Sequence, residues 1–63
     1  MLNPIALVTK TRTLKLWEAK LERYYDQLDT MDPDRHPVSY AIKARQIDNL
    51  QGQIDELYME LAN

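Results

Sequence analysis

Leucine recurs at every seventh position through the first half of the chain, at Leu7, Leu14, Leu21 and Leu28, and Lys10, Trp17, Tyr24 and Met31 follow each of them by three. The second half repeats the pattern with Tyr40, Ile47, Ile54 and Leu61, and with Lys43, Leu50 and Leu57 between them. Spacing that alternates three and four keeps these side chains on one side of an α-helix. Such a stripe is what a partner helix covers in a coiled coil. The two lysines are its only polar members, and no stretch of alternating apolar and polar residues offers a comparable strand signal.

The two stripes are separated by Asp32-Pro33-Asp34-Arg35-His36-Pro37. Proline at 33 disfavours helical geometry at Asp32 and lacks a backbone donor, so the first helix is expected to run to about residue 31. Asp32-Pro33-Asp34-Arg35 suits a type I turn, with aspartate first and proline second. Pro37 suits the first position of a second helix, where its missing N–H has no partner to lose. Ser39 is a rival cap, which leaves that start open by two residues. The expected layout is one domain: helix 1 over about 4–31, a turn over 32–36 and helix 2 over about 37–62.

At the start of the chain Asn3-Pro4 reads as a cap followed by a first-turn proline. Against it, Val8, Thr9, Thr11 and Thr13 are β-branched and lower helix propensity, so residues 1–12 are either the first turns of helix 1 or a frayed arm.

The stripes also predict how the helices pair. In an antiparallel hairpin the numbers of facing residues add to one constant. Met31 with Tyr40, Leu28 with Lys43, Tyr24 with Ile47, Leu21 with Leu50, Trp17 with Ile54, Leu14 with Leu57 and Lys10 with Leu61 all obey it, and the midpoint falls between Arg35 and His36, inside the expected turn. The fold class is therefore all-α, an antiparallel two-helix hairpin of coiled-coil type.

Size then changes the picture. A chain of 63 residues without cysteine has no disulfide and no thiolate metal site to staple it, and one seam between two helices buries little. The flanks carry further apolar residues: Tyr25, Ala44 and Tyr58 beside the seam, and Leu16, Ala19, Ile42, Gly52 and Met59 farther round. Two hairpins packing such flanks together would form a four-helix bundle, so a homodimer is expected; completion by a different protein is the rival. Gly52 falls mid-helix on the outer side, where it permits close approach of another helix or is simply tolerated.

Charge is distributed in blocks. Residues 1–25 hold five basic and two acidic groups, 26–34 four acidic, 35–45 three basic and 46–63 four acidic, a net −2. In a hairpin the basic start of helix 1 lies beside the acidic end of helix 2. Each helix then sets charge against its own dipole, so pairing across the seam, of helix 1 with Asp55, Glu56 and Glu60, is expected to outweigh that cost.

Candidate chemistry is sparse. Asp32, Asp34 and His36 alternate through the turn, but a calcium loop starting at Asp32 would have Pro37 in place of its glycine and Lys43 in place of its last glutamate. The aspartates are expected to cap backbone N–H groups instead, and no metal or cofactor is expected. His36 and Ser39, the single histidine and serine, sit at a turn with nothing to make them a base and nucleophile. Asp55 and Glu56 point in different directions on a helix. No enzyme signature or small-molecule substrate site is present.

What remains is binding. The structural seam is Leu14, Trp17, Leu21, Tyr24, Leu28, Met31, Tyr40, Ile47, Leu50, Ile54, Leu57 and Leu61. The candidate partner or dimer surface is Leu16, Tyr25, Tyr58, Met59, Ile5 and Val8; Leu2 and Leu7 join it at the open end of the hairpin, opposite the turn. The function expected is a non-catalytic protein–protein interaction module, an adaptor, inhibitor or assembly factor acting as a homodimer. The alternative is an RNA- or DNA-binding regulator, in which Lys10, Arg12, Lys15, Lys20 and Arg23 make a phosphate-contacting face that a dimer doubles. A pI near 5.1 weighs against it. With no apolar run of membrane-spanning length and no signal segment, the expected location is cytoplasmic, away from the membrane.

Overall fold

The structure, a computed structural model, describes residues 3–62. Two helices, α1 (Pro4–Asp29) and α2 (Pro37–Ala62), pack against each other. They form a rod 49 Å long and 15 by 12 Å across.

Helix α1 starts at a cap. Asn3 holds extended backbone geometry, its side chain accepts a 2.7 Å hydrogen bond from Ala6 N–H, and its carbonyl accepts from Leu7 N–H at 3.0 Å. Together with Pro4 at the first position, this satisfies or removes donors that would otherwise be orphaned. Residues 4–12 are thus helical; Met1 and Leu2 lie outside the described residues. The threonines that argued for fraying turn their hydroxyls inward along the helix, Thr11 to the carbonyl of Leu7 at 2.8 Å and Thr13 to that of Thr9 at 3.0 Å. Each hydroxyl thereby finds an acceptor one turn back instead of competing for the backbone elsewhere.

The far end of α1 departs from expectation. Regular helix stops at Asp29 rather than near 31. Thr30 N–H and Met31 N–H bond to the carbonyls of Gln27 and Leu28 at 3.2 and 3.1 Å, and the Thr30 hydroxyl also donates to Gln27 at 2.8 Å. These three-residue bonds tighten the last turn and use up its free carbonyls. The turn itself is closed by His36 N–H donating to Asp32 C=O at 2.9 Å, one residue longer than the type I turn expected there. The Asp32 side chain takes the Asp34 N–H at 2.9 Å, an Asx turn. The carbonyl of His36 accepts the first bond of α2, from Tyr40 N–H at 3.0 Å, so His36 and not Ser39 stands at the cap position.

Between the helices, all twelve seam residues are buried or half-buried, as are Lys10 and Lys43. Leu14, Leu50, Ile54 and Leu57 form the core, with Trp17, Leu21, Tyr24 and Leu61 packed against it. Ile54 is the most enclosed, at 2% exposure. Leu7 leaves the pattern at 44% exposure.

Candidate functional site

Two surfaces draw attention, and they lie on different sides of the rod. The first is a shallow groove beside the seam, lined by Leu21 and Ile54 at its floor and by Glu18, Tyr25, Gln51 and Tyr58 at its walls, with Glu22 and Asp26 at the rim. Helical spacing puts Glu18, Glu22 and Asp26 one turn apart on α1. Tyr25 and Tyr58 are half-exposed, so each presents part of its ring to solvent. The Tyr58 hydroxyl donates to Glu18 Oε2 at 3.0 Å. That bond, then the negative charge of Glu18 and a small loss of solvent, hold the Tyr58 hydroxyl above its ordinary pKa of 10.0.

The second surface is the open end of the rod. Ile5, Leu7 and Val8 on α1 and Met59 on α2 stand exposed there, around Tyr58, whereas Leu16 stands exposed midway along α1. The candidate surface residues therefore do not form one patch. Tyr25 and Tyr58 share the groove, Ile5, Val8 and Met59 lie at the end, and Leu16 stands midway along α1. Leu2 lies outside the described residues.

The five basic residues of α1 do not act as one face. Lys10 sits in the seam stripe and binds Glu60 Oε2 at 2.7 Å, the single ion pair among the described residues. The pairing expected of Asp55 and Glu56 is thus carried by Glu60 alone; Asp55 instead accepts from Gln51 Nε2 at 3.1 Å. Lys20 leans toward the Tyr24 ring, 5.6 Å from its centroid, and Lys43 from α2 lies over the same ring at 4.2 Å. Both distances are within the range of a cation–π contact. Arg12, Lys15 and Arg23 remain exposed.

The turn holds Asp32, Asp34 and His36 in the backbone hydrogen bonds described above, and among the described residues no three His, Asp or Glu side chains gather as a metal set would. His36 and Ser39 are exposed. No helix among the described residues is long and apolar enough to cross a membrane.

Sequence reading overlooked two features. The Glu18–Tyr58 bond was legible, because both residues occupy the same flanking position of their heptads, and those positions adjoin in an antiparallel pair. Val38 stands exposed near the start of α2, in helical spacing with Ile42, Arg45 and Met59 on the outer side and not with the seam.

No protein-family model, curated protein or solved structure matches the chain.

Proposed function

We propose that this protein is a non-catalytic interaction module that works as a pair of hairpins, a four-helix bundle, and offers the apolar ring at its open end to a protein partner. The observation that supports it is the imbalance of the apolar surface. Five residues are buried, whereas nine large apolar side chains are exposed among those described. Where such residues gather, as Ile5, Leu7 and Val8 do at the open end, they mark an interaction site. A seam this narrow also leaves a lone hairpin short of the burial that small domains need.

The reading is tested by measuring mass in solution and by capture on the immobilised protein. A dimer is expected, together with a retained protein that Val8→Asp releases while leaving helicity intact. A folded monomer that retains nothing would refute the proposal.

A further inference from the structure

The outer face of α2, turned away from the seam, is covered by none of the described residues. Val38 and Met59 stand 71% and 68% exposed toward its two ends, and Ile42, Arg45, Gly52 and Glu56 lie between them. Spacing of three, four and seven places these six on one side of the helix.

Gly52 is the anomaly on this face. Glycine is among the poorest helix formers, and nothing in the chain asks for it here. Its backbone is not in the left-handed region, and a Cβ built on it would meet nothing within 4 Å. What a glycine adds at such a place is access, because another helix can approach its backbone closely.

The order of side chains along the face identifies that helix. Reversed end for end about a point between Asn49 and Gly52, the stripe complements itself. Arg45 falls opposite Glu56, Ile42 opposite Met59 and Gly52 opposite Asn49. A parallel copy would instead stack Arg45 on Arg45 and Glu56 on Glu56. Within the chain neither Arg45 nor Glu56 has an ion-pair partner, since Lys10–Glu60 is the one pair among the described residues.

The other exposed faces do not match themselves in this way. Two copies of the tyrosine groove would bring Glu18, Glu22 and Asp26 against carboxylates. A reversed α1 with Ile5 opposite Thr30 would set Arg12 against Arg23.

Resting on the reading that the protein works as a pair, we infer that two copies associate through the outer faces of α2, antiparallel about a two-fold axis beside Gly52, with Arg45 of each copy on Glu56 of the other. The contact is isologous, so every interaction occurs twice. It takes Met59 into the contact and leaves Ile5, Leu7 and Val8 of α1 free for a different protein.

Charge exchange tests this on the intact chain, read as a dimer dissociation constant by analytical ultracentrifugation. Arg45→Glu alone and Glu56→Arg alone each place like charges at both contacts, and each is expected to weaken dimerisation on the order of tenfold or more. The double variant is expected to recover it. A mixture of the two single variants is expected to form a heterodimer tighter than either homodimer, because both contacts are then of opposite sign. Gly52→Gln is expected to weaken the dimer even though glutamine is the better helix former, an outcome that a purely structural role for glycine would not give.

Circular dichroism shows whether each variant stays folded. A misfolded single variant is replaced by Arg45→Gln or Glu56→Gln, for which a smaller weakening is expected. If the wild-type chain dimerises and the exchanges leave its constant unchanged, the α2 interface is overturned while pairing stands. If the wild-type chain is monomeric at every concentration, pairing itself fails.

Discussion

The hydroxyl of Tyr58 donates a 3.0 Å hydrogen bond to Glu18 Oε2, joining residues 40 apart in sequence across one side of the seam. It is the polar counterpart, on that side, of the Lys10–Glu60 ion pair nearer the open end. Because proton loss would place two negative charges together, Tyr58 titrates above 10.0. Folding favours its protonated form, so the bond's stabilisation is fully present below the unfolded tyrosine value and is lost as pH rises through the higher folded value. Ring resonances followed by NMR are expected to show Tyr58 titrating after an exposed tyrosine, and Glu18→Gln is expected to bring it down toward the ordinary value. A Tyr58 midpoint unchanged by Glu18→Gln would contradict the bond.

The core is small enough that single truncations decide folding. Ile54 is the most enclosed residue and packs with Leu14, Leu50 and Leu57. Removing a buried branched side chain costs about 2–5 kcal/mol, a large share of the stability of a domain this size. Ile54→Ala is expected to lower the thermal midpoint steeply, and Leu21→Asp with Leu50→Asp to abolish helical circular dichroism. Leu16→Asp, on the exposed side, is expected to leave the spectrum unchanged.

Lys10 interrupts an otherwise apolar stripe. Its ion pair is partly exposed, at 32% and 55% for the two side chains. Such a pair contributes about 0.2–1 kcal/mol after screening by solvent. Leucine there would extend the seam toward Leu61, and burial of its side chain is worth roughly 1.5–3 kcal/mol when complete and less where half-exposed. Lys10→Leu is therefore expected to raise the thermal midpoint, with little dependence on salt, and a fall would show that the pair outweighs the packing.

The cap at Asn3 holds the start of α1. Asn3→Ala removes the acceptor of Ala6 N–H and is expected to cost about 1 kcal/mol. The loss should be local: amide exchange of Ala6 and Leu7 accelerates while that of Leu50 and Ile54 follows only the global change.

Much of this architecture was legible because both helices carry the same period and the turn falls where their registers meet. Tyr24, Leu50 and Ile54 could be placed in the seam from number alone. The ends were less legible. The stop at Asp29 is set by Thr30, whose hydroxyl bonds back to Gln27, and a single threonine carries no strong stop signal. Leu7 satisfied the heptad but stands exposed, because a heptad states which side of a helix is apolar and not whether the partner helix extends far enough to cover it. The basic residues of α1 were grouped by their nearness in sequence. In three dimensions Lys10 turns to Glu60 and Lys20 to Tyr24, which leaves three of the five free of such contacts. Function carries no comparable signal, since a helical surface names its partner through shape and charge rather than through a reactive group.

The account rests most heavily on the hairpin not acting alone. Sedimentation equilibrium over a range of concentrations measures this directly. It should report a species of twice the 7.5 kDa chain mass, dissociating on dilution with loss of helical signal. A stably helical 7.5 kDa species at every concentration would contradict it.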